Sequence, residues 1–326
     1  MMRKLFFAIL GLIGAFATSA QDYTFSNHNI VPFSLNPSLV GNANAIRLGL
    51  NYRRQWPTLG NCYNTVRVSY DQNFYKRMCS LGAFYTHDNM ANGDIRTNEF
   101  GLIYGHTMRI SDGYFIRLGV QASLFYNQYG KDFEFGDQYD WGTGAILPHT
   151  SENMTENGST SFLDFSAGGA FIIENCLTLG GSVYHIGEPE NGIFESKDNI
   201  LSRRFVGHAN YVLDLESTNG LWGRREMSDK YLFINAAYQK QHNFELAYLG
   251  AGVMLSPIIG GVSIKSDMEA VNTISFLLGG TYKGLQAYYV YDLFTSSKKN
   301  GSWSHEISII YIIQKHEKYP CPVVYW

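Results

Sequence analysis

Arginines and carboxylates alternate with apolar residues along much of this sequence, so paired charges in a sheltered interior are its first chemical possibility. Arg47, Arg53, Arg67, Asp71, Arg117 and Asp164 all sit in such runs. Nine histidines, at 28, 87, 106, 149, 185, 208, 242, 305 and 316, supply the side chain that hydrolases most often use as a general base. No G-x-S-x-G elbow, H-E-x-x-H, P-loop or G-x-G-x-x-G accompanies them, however. His305 and Glu306 are adjacent, and neighbours on a strand point to opposite faces, so the two do not converge. Cys62, Cys79, Cys176 and Cys321 lack C-x-x-C spacing, and the acidic stretch 128–160 lacks EF-hand spacing. The expectation is therefore no catalytic residue, no metal, no cofactor and no enzyme. A Cys176–Cys321 disulfide stays open as a pairing.

Charged residues make up only 16% of the 326, against roughly 25% in an ordinary soluble domain. Hydrophobic residues reach 45% and aromatics 15%, which excludes intrinsic disorder. Mean hydropathy is only -0.15, and no later stretch approaches the roughly 18 apolar residues of a spanning helix. A net charge of -3 offers no basic footprint, so nucleic acid is not expected as a partner. Residues 1–20 read as a signal peptide: Arg3 and Lys4, then the apolar Leu5 to Phe16, then Thr18-Ser19-Ala20 before Gln21. That leader predicts an exported, bacterial protein.

The elements that would position the charges are strands. Tyr114, Ile116, Leu118, Val120, Ala122, Leu124 and Tyr126 alternate with Phe115, Arg117, Gly119, Gln121, Ser123, Phe125 and Asn127. Such a run is longer than the usual five or six residues of a globular strand and fits a membrane strand with a tyrosine at each interface. Fourteen candidate strands follow, at 46–54, 62–72, 79–87, 97–110, 113–127, 161–173, 176–186, 203–214, 230–240, 243–254, 258–265, 271–282, 284–293 and 304–314. An even number is what single-chain bacterial barrels have. Arg47, Arg67, Arg109, Arg117 and Asp164 are expected to face a wet lumen, because Arg on the lipid face costs roughly 2–4 kcal/mol at the midplane. Tight turns at 111–113, 174–175 and 283 alternate with long loops at 88–96, 128–160, 187–202 and 294–303. The long connection 215–229 and the short one 241–242 break that alternation, which predicts a miscounted strand nearby. The expected fold is an all-β, transmembrane antiparallel β-barrel over 46–314 with a tail at 315–326, embedded in a lipid bilayer.

Specific words then add to the pattern. Leu35-Asn36-Pro37-Ser38-Leu39-Val40-Gly41 is followed by Tyr52-Arg53-Arg54-Gln55-Trp56. Further along come Phe135-Gly136-Asp137, His185 with Pro189, Arg203-Arg204-Phe205, Tyr291-Asp292, Ser304-His305-Glu306-Ile307-Ser308 and Tyr319-Pro320-Cys321-Pro322. In this order they resemble the PorP/SprF family of type IX secretion outer-membrane proteins, with Ser38 standing where alanine is usual.

The resemblance implies a FadL-like barrel of about 14 strands whose N-terminal segment, residues 21–45, enters the lumen as a plug. It also implies an accessory role in the type IX secretion system of Bacteroidota: docking, exporting or retaining a secreted partner, often an adhesin, that carries a C-terminal sorting domain. For some members the resemblance implies a link to gliding machinery, to other type IX components or to a peptidoglycan-binding periplasmic protein. Both termini would be periplasmic. Asn36, Pro37 and Gly41 would shape the plug, Tyr52 belongs to the first-strand motif, and Arg53, Arg54, Gln55 and Trp56 would brace the outer mouth. Arg53 is expected to join Asp71, Glu99 or Asp164 in a lumenal network. The alternative is a FadL-like channel for hydrophobic small molecules, and its mark would be a lateral opening, a strand interrupted by Gly or Pro, with an apolar channel lining.

Overall fold

A computed structural model of the chain describes residues 22–43, 45–57, 62–90, 93–130, 138–140, 142–147, 158–174, 176–191, 200–216, 230–268, 270–295 and 303–313. The leader, the 315–326 tail, Cys321 and most of the acidic 128–160 loop lie outside these residues.

Fourteen strands form one closed antiparallel sheet. They are β1 (Ile46–Gln55), β2 (Tyr63–Phe74), β3 (Cys79–Met90), β4 (Ile95–Ser111), β5 (Tyr114–Tyr129), β6 (Ser159–Ile173) and β7 (Leu177–Tyr184). The second half comprises β8 (Arg204–Asp214), β9 (Lys230–Gln241), β10 (Phe244–Leu255), β11 (Ile258–Ser266), β12 (Val271–Tyr282), β13 (Leu285–Phe294) and β14 (Trp303–Ile313). Each strand pairs with its sequence neighbour, and β1 closes on β14 from Ile46↔Ile313 to Gln55↔Ser304. Closure removes every free sheet end, as a membrane requires, because hydrocarbon offers no partner to an unpaired backbone.

The expected miscounted strand does not exist. β8 pairs with β9 and β9 with β10 across their whole lengths, so the long 215–229 connection and the tight His242-Asn243 hairpin are both real. Alternation of loop lengths is a tendency, whereas the hydrogen-bonded ladder is what counts strands. Lys283 and Gly284, with φ of 47° and 84°, make a two-residue turn on the rim where β1 begins and β14 ends.

The two faces follow the alternation. On β5, Leu118, Val120 and Leu124 are 49, 55 and 49% exposed, while Arg117, Gln121 and Ser123 are 2, 6 and 1% exposed. Arg47, Arg67 and Asp164 are likewise buried inside. Arg109 is not. It lies opposite Phe115 on the inward parity, but at the end of β4, where its side chain is 46% exposed and pairs with Asp112; the bulge between Arg109 and Ser111 follows it.

The lumen is also less wet than alternation alone suggests. Phe84, Ile103, Phe233, Met254, Ile259, Tyr288, Val290 and Ile310 face inward and pack on Phe25, Ile30, Val31, Phe33 and Val40 of the N-terminal segment. Inward apolar positions are thus a core that an internal segment completes. Among the described residues, Cys62, Cys79 and Cys176 form no disulfide with one another.

Candidate functional site

The site is the barrel interior, and the chain that fills it is residues 22–43. Just before β1, Gly41 adopts φ 67° and donates its N–H to Asp71 Oδ2 at 2.8 Å. Asp71 also receives Arg47 Nε at 2.7 Å, and both side chains are buried. Arg117 donates to the Val40 carbonyl. Next comes a 3-10 turn over Pro37–Leu39, capped by Asn36, whose oxygen accepts from the Ser38 N–H at 2.9 Å. Proline suits the first position of such a turn, and asparagine is a favoured cap. The Asn36 amide reaches the wall as well, donating to the carbonyls of Gly169 at 2.9 Å and Gly181 at 3.2 Å.

Wall side chains then hold plug carbonyls. Ser182 Oγ donates to Leu35 O at 2.7 Å, and the Tyr184 hydroxyl donates to Phe33 O at 2.9 Å. Beyond His28, whose ring meets Tyr248 edge-on at 5.2 Å, Ser26 donates its N–H to Glu306 and its hydroxyl to Asp292, both at 2.5 Å. Asp292 also faces Arg53 Nη2 at 3.1 Å and Lys265 Nζ at 3.5 Å. Arg53 donates to the Thr24 carbonyl too. Arg67 lies 4.4 Å from the Phe84 ring centroid, donates to the Tyr23 hydroxyl at 2.6 Å and faces Glu99 at 3.7 Å. The segment ends at Asp22, between His185 at 2.8 Å and Arg204 at 3.2 Å.

Arg53 is thus lumenal, but its carboxylate is Asp292. The three carboxylates expected for it are taken up elsewhere: Asp71 by Arg47, Glu99 by Arg67 and Asp164 by His185 at 3.0 Å. Shear around the barrel, invisible in strand parity, decides which inward residues meet. Tyr52 faces outward and donates to Asn64, and Gln55 ends β1. Trp56 turns at φ 54° and packs on Tyr63 and Phe294. His305 faces outward against Tyr289 and Tyr291, and Glu306 faces inward. Asp22, Lys265 and Arg204 were not singled out as lumenal charges. Parity alone marks Lys265, whose outward neighbour is Ile264.

Two plug groups are tuned by their surroundings. Burial raises the Asp22 carboxyl, but the His185 and Arg204 charges more than offset it and hold it below the usual carboxylate range. Burial, with the charges of Lys265, Arg204 and Arg53, pushes His28 down to about 3. A histidine that stays neutral when folded and protonates near 6.5 when unfolded gives full stability above that pH and less as pH falls. Relative to His28→Gln, the wild type should lose about 2 kcal/mol between pH 7 and pH 5, read from denaturant unfolding in detergent. Parallel pH profiles of the two proteins would contradict this.

On the rim of the long loops the plug leaves a vestibule of about 250 Å³. Its lining includes Asp22, Phe125, Asn127, Phe162, Asp164 and His185. Phe125 and Phe162 stack with centroids 4.9 Å apart. Among the described residues, Asp164 Oδ1 and Asn127 Oδ1 are buried there without a hydrogen-bond partner.

The sequence profile of the type IX secretion system membrane proteins PorP/SprF matches residues 17–311. The chain belongs to the PorP/SprF family. As a type IX secretion barrel it is similar in fold to the CymD monoaromatic hydrocarbon channel, at 11% identity, covering 90% of this chain and 94% of that one with a TM-score of 0.50. Omp33 of Acinetobacter baumannii is 6% identical over 84% of this chain and 100% of its own, with a TM-score of 0.45. A FadL homologue of Pseudomonas aeruginosa is 10% identical over 85% and 94%, with a TM-score of 0.43. No curated protein matches the sequence. This PorP/SprF member is therefore an outer-membrane β-barrel of the type IX secretion system.

Proposed function

We propose that this PorP/SprF barrel is a non-enzymatic seat that docks and retains a secreted protein carrying a C-terminal sorting domain at the cell surface. In this reading β14 ends at the periplasmic rim and the long-loop rim faces outward, with Asp22, the first described residue, in the vestibule beneath it. The observation that carries it is the plug: residues 22–43 are tied to the wall from Asp71 at one rim to His185 at the other. A lumen so filled leaves the rim and the vestibule as the surfaces that a partner can reach. The channel reading is weaker, since Asp22, Arg67, Asp88, Glu99, Asp164 and Arg204 stand among the vestibule's lining. Those charges are costly neighbours for a purely apolar passenger.

Affinity capture of the barrel from native outer membranes tests the proposal. Recovery of a protein with a C-terminal sorting domain is the expected result. Its absence, together with uptake of fatty acids that depends on this barrel, would overturn it in favour of the channel.

A further inference from the structure

β7 is the shortest strand, Leu177–Tyr184, while its neighbour β6 runs Ser159–Ile173. Their ladder ends at Ala167↔Val183, although β6 stays paired with β5 as far as Gln128↔Ser159. One further bond, Ile186 N–H to Phe165 O at 3.0 Å, marks where β7 leaves the wall. The departure has a visible cause. His185 takes a left-handed turn, φ 57°, and its ring is held between Asp164 of β6 and Asp22 of the plug. An L-residue adopts that backbone rarely, and here two carboxylates hold the ring that makes the turn.

In an antiparallel strand the backbone groups of alternate residues point to the same side. Since Phe165 points its carbonyl toward β7, Leu163 and Ser161 point their N–H and C=O groups there too. Among the described residues neither has a partner on that side. Ser161 pairs across β5 with Tyr126, an exposed tyrosine, and Leu163 with Leu124 of the apolar band. The open edge therefore lies at the bilayer boundary, where an unpaired backbone is costly and a strand is the natural cover. The inward neighbours of that edge are Phe162 and Asp164, which line the vestibule. There the Asp164 and Asn127 oxygens have no partner among the described residues and can accept a donor.

We propose that the open edge of β6 at Ser161 and Leu163 is a docking site for an extended strand of the secreted partner, which continues the sheet where β7 stops. It rests on the docking function proposed above and adds where and how the partner is held. Main-chain hydrogen bonds supply the attachment, and alternate side chains of the guest turn into the vestibule. A guest side chain with an N–H or O–H donor on an apolar stem satisfies the Asp164 and Asn127 oxygens and covers the Phe125–Phe162 stack. An extended polypeptide meets both requirements at once, the backbone ladder and the polar pocket beside it.

The test places a photo-crosslinking phenylalanine analogue at Ser161, and at Val262 on β11 as a control, in the full-length protein in native membranes. Capture of the unmodified barrel runs beside it. The expected result is a crosslink from position 161, and none from 262, to the same sorting-domain protein that the unmodified barrel recovers. Leu163→Pro removes a backbone donor that β5 does not use, so it should lower recovery of that protein at least tenfold. Leu163→Ala should keep recovery within about twofold of wild type, since it leaves the backbone donor in place. If the unmodified barrel recovers the partner but position 161 crosslinks only to lipid, or to nothing, the edge is not the site and docking itself stands. If no sorting-domain protein is recovered with the unmodified barrel, the docking function fails and takes this inference with it. Heat-modifiable migration on gels reports folding of each variant, and should Leu163→Pro fail to fold, the crosslink at 161 decides.

Discussion

Asp292→Ala should lower the stability of the barrel by about 3–5 kcal/mol, the usual cost of stripping one partner from a buried ion pair. Asp292 receives Arg53 Nη2 at 3.1 Å, Lys265 Nζ at 3.5 Å and the Ser26 hydroxyl at 2.5 Å. The side chains of Arg53 and Lys265 are only 4 and 8% exposed, so neither cation can turn to water once the carboxylate is gone. Glu306 lies close by, but it accepts the Ser26 N–H and is no substitute for the missing charge. Asp292→Asn keeps the shape and an acceptor for Ser26, so it should cost less than alanine while still leaving excess positive charge. Adding Arg53→Met to Asp292→Asn should recover part of the loss, because two buried charges then disappear together. Urea unfolding in detergent, followed by the heat-modifiable band, measures all three. An Asp292→Ala protein within about 0.5 kcal/mol of wild type would show that the plug and wall are not coupled through this carboxylate.

Gly119→Val should displace the plug while the barrel persists. A Cβ at Gly119 would lie 2.3 Å from the Ser38 nitrogen, 2.4 Å from the Pro37 carbonyl carbon and 2.5 Å from the Ser38 Cα. These are backbone atoms of a turn already fixed by proline and by the Asn36 cap, so they cannot yield as a flexible side chain would. Gly168 is equally constrained, with Asn36 Oδ1 at 2.1 Å from its would-be Cβ. Overpacking of this kind costs typically 1–3 kcal/mol when neighbours can shift. Here the neighbour that can shift is the whole segment. The β4–β5 and β5–β6 ladders do not depend on it. The expected result in planar bilayers is an ion conductance about tenfold above wild type, by release of the polar upper lumen from its stopper. Gly207→Val is the control, since nothing lies within 4 Å of its would-be Cβ, and it should conduct as the wild type does. Wild-type conductance in Gly119→Val would mean that the plug reseats around the new side chain.

The barrel was legible in the primary structure because one rule is enforced at every strand. A charged residue in the wrong register would face lipid, so the parity of Arg47, Arg67, Arg117 and Asp164 could be read without knowing any neighbour. β11 obeys it as well, with Val262 and Ile264 outward and Ser263 and Lys265 inward. Arg109 keeps its parity, opposite the inward Phe115, but parity does not say how close to the rim a residue lies, and there the side chain meets water. The break in loop alternation at 215–229 and 241–242 pointed to an error where there was none, since connection length is only loosely constrained by the ladder.

The partners inside the lumen were beyond reach for a different reason. Arg53 and Asp292 are 239 residues apart, and Asp22 and His185 are 163 apart. Such pairs are set by closure of the sheet and by the course of the plug through it. His185 shows the limit best. Its motif was visible, but the left-handed turn that ends β7 and exposes the β6 edge depends on Asp22 and Asp164 arriving on either side of one ring. Alternation, a local property, thus determined that a fourteen-stranded barrel forms and which face of each strand is wet. Which charges pair, how the plug seals the interior and where the wall stands open follow from contacts between distant segments, and only the closed tertiary structure brings those segments together.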